Sequence, residues 1–141
     1  MPYRFSDEYS PADAGLIITG DSLEELFADA AIGMTEITAD LVNIDESREM
    51  PVEIEADSLE QLFFDWLSEI VYLRDADGFL FKSCDLKIDI GKHAKLKGRL
   101  FGDSIDPGRH ILKVDVKAVT LYRLKIEKIN NHWRGEAVFD L

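Results

Sequence analysis

The sequence predicts an α+β domain, with two helices packed on one face of a mixed, mostly antiparallel β-sheet. Three observations lead there. A segment that turns from strand-like to helix-like occurs twice, 36 residues apart: Ile18-Thr19-Gly20-Asp21-Ser22-Leu23-Glu24-Glu25-Leu26-Phe27 and Ile54-Glu55-Ala56-Asp57-Ser58-Leu59-Glu60-Gln61-Leu62-Phe63. Each copy opens a long apolar stripe at helical spacing. Everything after Gly78 changes to the two-residue alternation of strands. Helices early and strands late are the pattern of an α+β domain. Two copies are too few for a solenoid, so they read as two similar strand–helix units in the N-terminal half of one domain spanning residues 1–141.

The elements follow in chain order. Gly15-Leu16-Ile17-Ile18-Thr19 is a β-like run. Ser22 and Glu25 form a capping box, with Asp21 adding negative charge where the helix dipole is positive. The first helix is expected over 22–39, its apolar face made of Leu23, Leu26, Phe27, Ala30, Ala31, Met34 and Ile37. Pro51–Ala56 alternates cleanly, a strand with one wet face. Ser58 and Gln61 repeat the box, and a second helix is expected over 58–75 with the stripe Leu59, Leu62, Phe63, Trp66, Leu67, Ile70 and Leu73. Strands are then expected at Phe79–Phe81, Leu86–Ile90, Lys95–Phe101, Lys113–Leu121, Leu124–Ile129 and Trp133–Phe139. Asp106-Pro107-Gly108 marks the loop 103–110, and Asn130-Asn131 a hairpin turn.

Composition narrows the function classes. The chain has 141 residues, 46% of them hydrophobic, enough for a core without staples. The single cysteine, Cys84, excludes an internal disulfide and a multi-cysteine zinc site, and fits a reducing cytoplasm. No apolar run approaches the ~20 residues of a membrane span, and no signal peptide is expected at the N-terminus. The net charge of −12 argues against direct nucleic-acid binding, which needs Lys and Arg to neutralise phosphates. That charge is uneven: residues 1–80 carry 20 Asp and Glu against 3 Lys and Arg, while residues 81–141 carry 8 against 13. Such asymmetry fits either an acidic surface for a basic partner or a cation, or two solvated faces of one domain.

Standard catalytic motifs are absent: there is no GxSxG, no phosphate loop, no HExxH and no GxGxxG. Cys84 reads as a small core residue. His93, His110 and His132 are not spaced as a metal triad. The carboxylates offer more. Asp13 stands among small residues at the mouth of an apolar strand, and Asp140 is followed by Leu141 with its α-carboxylate. A dense patch of hard oxygen needs a cation or Lys/Arg beside it, although a strand-end Asp is more often simply solvated.

Several stretches, in order and spacing, resemble the archease family, small acidic proteins that activate RtcB-type RNA ligases. They are Ala12-Asp13-Ala14-Gly15-Leu16 after an N-terminal aromatic strand, Gly20–Phe27, Asp65-Trp66-Leu67, Asp77-Gly78-Phe79-Leu80-Phe81, Arg109–Thr120 and the final Asp140-Leu141. The resemblance implies an activator rather than an enzyme, one that promotes ligase guanylylation and multiple turnover in tRNA splicing and RNA repair. It implies a divalent cation, calcium foremost with magnesium or manganese as alternatives, at Asp13, Asp140 and Leu141. It points to Asp65, His110, Lys113 and Lys117 as partner-binding residues on an RtcB-type ligase, with no membrane and no direct nucleic acid as partners. Two positions depart from the family pattern: Ser10-Pro11 where His-Thr is usual, and Leu121-Tyr122 where Tyr-His is usual. The alternatives are a stand-alone hydrolase using Asp13, Asp140 and a third carboxylate such as Asp65, and a chaperone-like binding protein.

Overall fold

The computed structural model describes residues 2–7 and 12–141. The order of elements is β1 (Tyr3–Ser6), β2 (Asp13–Gly20), α1 (Leu23–Thr38), a 3-10 turn at Leu41–Asn43, β3 (Arg48–Ala56), α2 (Leu59–Asp77), β4 (Phe79–Ile90), β5 (Ala94–Ser104), β6 (Ala118–Val119), β7 (Lys125–Ile129) and β8 (His132–Asp140). Both helices start where the sequence places them. The Ser22 and Ser58 hydroxyls accept the backbone N–H groups of Glu25 and Gln61, at 3.1 Å each. Glu25 also reaches back, to the N–H of Asp21. Gln61 does not; its amide donates to Asp65 one turn on. The second helix runs to Asp77, beyond its apolar stripe, because the polar last turn ends only at Gly78, whose φ of +61° is the left-handed stop that glycine adopts freely.

The α+β class and the two core-facing helices hold. The single mixed sheet does not: among the described residues the strands form two sheets, and every pairing is antiparallel. The larger sheet runs β1-β2-β8-β6, with β7 also on β8; the smaller runs β3-β5-β4. The helices join them. α1 packs on both β4 and β2, while α2 packs on β3 and β4 and touches β6. One continuous core results, in which Phe27, Phe63, Trp66 and Phe81 are fully buried or nearly so. Their rings meet in sequence: Phe27 and Phe63 lie 5.1 Å apart, and Trp66 meets Phe81 edge-on at 6.1 Å. The indole N–H of Trp66 donates to the Phe27 carbonyl at 2.9 Å, so its one polar atom is satisfied inside the core. Gly33 lets α1 sit down on the large sheet; a Cβ there would lie 3.0 Å from both Leu16 and Tyr3.

Two strand expectations change. Phe79–Phe81 and Leu86–Ile90 are one strand, β4, interrupted in register by a bulge between Phe81 and Ser83. The bulge turns Lys82 to the carbonyl of Leu41, and the shifted alternation is what made one strand look like two. The expected strand over Lys113–Leu121 shrinks to Ala118–Val119. Residues 111–117 instead form a strap along the end of α1. Lys113 N–H donates to Thr38 O and Val114 N–H to Ile37 O, while Asp40 N–H donates to Ile111 O. The last carbonyls of a helix lack partners within it, and here they capture donors that the alternating sequence offered to a sheet.

Candidate functional site

Strand polarity builds the site. β2 starts at Asp13 and β8 ends at Asp140, so their antiparallel pairing brings a start beside an end, with Asp13 directly opposite Asp140. Their neighbours Ala14 and Phe139 face the core. By the two-residue alternation, both carboxylates therefore leave on the opposite face. Asp140 is exposed and Asp13 half-buried. On its other side β8 meets β6, where Ala118 pairs with Asp140 and Lys117 N–H donates to the Asp140 carbonyl at 2.8 Å. Leu141 is tied down in turn. Its N–H donates to Ala12 O at 2.9 Å, and its side chain packs on the core. The hydrogen bond and this partial burial fix the main chain of Leu141 next to Asp140.

Asp13, Asp140 and Leu141 are thus brought together from opposite ends of the sequence. The donors they offer are oxygens, the chemistry of a hard divalent cation. Among the described residues no group of three or more His, Cys, Asp or Glu side chains gathers as a metal cage; here only two side chains are carboxylates, and Leu141 contributes main-chain oxygen. Asp65 is not part of the cluster. It lies half-buried on α2, accepting from Gln61 at 2.8 Å. Ser10-Pro11 lies outside the described residues. Leu121-Tyr122 forms an exposed turn between β6 and β7, with the Arg123 guanidinium over the Tyr122 ring at 5.4 Å.

Of the expected partner-binding residues, Lys113 and Lys117 are exposed on or beside the strap, and Lys113 pairs with Asp40 at 3.3 Å. His110 is not offered to a partner: its side chain is wholly buried. Its Nδ1 accepts the N–H of Asp106, which sets the tautomer and leaves Nε2–H to donate to Asp103 at 3.1 Å. Asp103 is the centre of a buried knot that sequence reading missed. The Arg109 guanidinium grips both its oxygens at 2.7 and 3.0 Å, and Ser47 and the Asp45 N–H add further donors. Arg109 above all, then Ser47, Asp45 and His110, hold the Asp103 carboxyl far below the usual carboxylate range despite the opposing effect of burial. Cys84 lies half-buried against the core rather than within it, its thiol pushed up to about 12 by burial and then by Asp85 and Asp29. Asp29 is also raised, by burial and by Glu25.

Comparison with known proteins decides the family. The model of the archease protein family matches residues 3–141. The chain belongs to the archease family. Protein archease of Pyrococcus abyssi is 34% identical over 132 residues, covering 92% of this chain and 93% of that protein. Protein archease of Archaeoglobus fulgidus is 32% identical over 141 residues, covering both chains in full. The solution structure of Methanobacterium thermoautotrophicum protein 1598 is 32% identical, with a TM-score of 0.86 over 99% of both chains. A crystal structure from Thermotoga maritima, described as an archease and possible chaperone, shares the fold at 23% identity, with a TM-score of 0.64 over 96% of both chains. No helix of this archease-family chain is long and apolar enough to cross a membrane, among the described residues.

Proposed function

We propose that this protein is an accessory factor that activates an RtcB-type RNA ligase, and that it works through a divalent cation, calcium foremost, held by Asp13, Asp140 and the α-carboxylate of Leu141. The observation that carries the reading is the strand register that sets Asp13 opposite Asp140 and ties Leu141 to Ala12. Like charges directly opposite on a sheet repel, and a cation shared between them turns that repulsion into binding. The protein acts in the cytoplasm on the ligase, promoting guanylylation of its active-site histidine during tRNA splicing and RNA repair. The exposed Lys113 and Lys117 meet the ligase beside the carboxylates. With a net charge of −12 the protein leaves RNA to its partner.

A stand-alone hydrolase is disfavoured by the placement of bases. The His110 ring is buried, and His93 and His132 pair with Asp57 and Asp21. His132 is at the far end of β8 from Asp140, eight residues or about 25 Å away at strand rise. The test is ligase guanylylation with and without this protein, together with calcium and manganese titration by calorimetry on untagged, C-terminally tagged and Asp13→Ala protein. Activation that disappears together with cation binding in the last two is the expected result. Equal activation and equal affinity in all three place the activity elsewhere.

A further inference from the structure

We propose that Arg74 is a positioning residue for the carboxylate site, acting through the main chain of Val116 on Asp140. Arg74 lies in the last turn of α2, with its side chain only 11% exposed. Its guanidinium divides its donors among three elements. Nη2 donates to the Val116 carbonyl at 2.6 Å, Nη1 to the Thr38 hydroxyl at 3.4 Å, and Nε with Nη2 to Asp75 at 3.1 and 2.9 Å. Asp75 therefore orients the fork, Thr38 marks the end of α1, and Val116 is the point where the strap passes into the large sheet.

What lies immediately beyond Val116 gives this contact its consequence. Of residues 111–117, only Val116 is buried. The next residue donates its N–H to Asp140 O, and β6 then pairs with β8 for just two residues, Ala118 with Asp140 and Val119 with Phe139. On the far side of this short ladder the Thr120 N–H and hydroxyl both donate to Val138 O, so the end of β6 nearest Asp140 is the one whose hold rests on what precedes it. The neighbour that supports Asp140 on this side depends on the anchor just before it, and that anchor is the Val116 side chain in the core plus the Arg74 grip on its carbonyl. Planar, multi-armed donation of this kind is specific to guanidinium; a lysine ammonium is a point donor on a flexible stem and does not hold Thr38 and Val116 together.

The test uses Arg74→Met and Arg74→Lys in the full chain, read by amide hydrogen exchange and by calcium titration. Exchange at the Lys117 and Thr120 amides, whose bonds run to Asp140 O and Val138 O, should accelerate at least about tenfold relative to amides in the middle of the β2–β8 ladder, the loss expected when a charge-assisted hydrogen bond goes. Arg74→Lys should fall between wild type and Arg74→Met, and it carries the test alone if Arg74→Met does not fold. Uniform acceleration across all strands, or none at Lys117 and Thr120, overturns the proposal. The calcium arm rests on the function proposed above: affinity should weaken about tenfold in Arg74→Met, in step with the exchange. Calcium affinity equal to wild type despite faster exchange at Lys117 also overturns it. Absence of saturable binding in the wild type defeats the cation reading instead, and leaves the exchange arm to judge Arg74.

Discussion

Replacing Asp103 by Asn keeps the shape of the side chain and removes its charge, and the surroundings leave the amide no good orientation. One carboxylate oxygen accepts from Asp45 N–H, Arg109 and His110; the other accepts from Ser47, Ser104 N–H and Arg109. Whichever oxygen becomes NH2 then faces three donors. Removing one partner of a buried ion pair costs about 3–5 kcal/mol. The lower end is expected here, because Arg109 is 43% exposed and regains water, whereas Asp103 is 3% exposed. The pH dependence supplies a sharper signature. The folded-state pKa of Asp103 is depressed, so its stabilisation is fully present above the unfolded value near 4 and is lost as pH falls below it, at about 1.4 kcal/mol per unit. Urea melts at pH 7, 5 and 3 should give Asp103→Asn a deficit of about 3 kcal/mol at pH 7 and 5 that shrinks by about 1 kcal/mol at pH 3. Deficits equal at all three pH values would refute the assignment of the knot as a charged structural anchor.

Four further outcomes are expected. Trp66→Ala removes the largest buried ring together with its hydrogen bond to Phe27 and should lose about 3–5 kcal/mol in denaturant melts. Gly33→Ala forces Leu16 and Tyr3 to give way at 3.0 Å and should cost about 1–3 kcal/mol, measured the same way. Lys113→Ala, which removes an exposed pair to Asp40, should change stability by less than about 1 kcal/mol while reducing ligase activation in the guanylylation assay. Asp140→Asn should bind calcium with an affinity between those of wild type and Asp13→Ala, because an amide oxygen still ligates without charge.

The helices were legible because their signals are local. Ser22 and Ser58 cap in the structure as their spacing implied, and the stripes around Phe27 and Trp66 are buried. The division into two sheets was not legible, since alternation tells which residues face a core but not which strand is the neighbour. The strap showed the same limit. Val114 and Val116 alternate with charged residues as a strand would, yet the free carbonyls at the end of α1 win the backbone donors, a competition decided between residues 37–38 and 113–114. At the site, Asp13 and Asp140 could be named in advance, but their apposition depends on a register spanning almost the whole chain. Arg74 and the Asp103 knot gave no signal, because a basic residue near a helix end and an acid before a loop are ordinary until their partners converge.

The pairing of β2 with β8 has a kinetic side. β8 is the strand that β2, β6 and β7 all need, and its partner β2 is separated from it by more than a hundred residues of sequence. Contacts of such long range are slow to form, because the loop between them must be closed before any ladder bond rewards the closure. The segment β3–α2–β4–β5 waits less: β4 and β5 are neighbours in sequence as well as in space, and β3 reaches its partner β5 across a separation of 38 to 54 residues, from Ala56↔Ala94 to Arg48↔Gly102. Refolding should therefore gather the small sheet and α2 first and complete the large sheet late. Asp13 and Asp140 come face to face only in that late step. A cation that needs both cannot bind the early species, and its presence would slow unfolding from the native side far more than it speeds the approach to it.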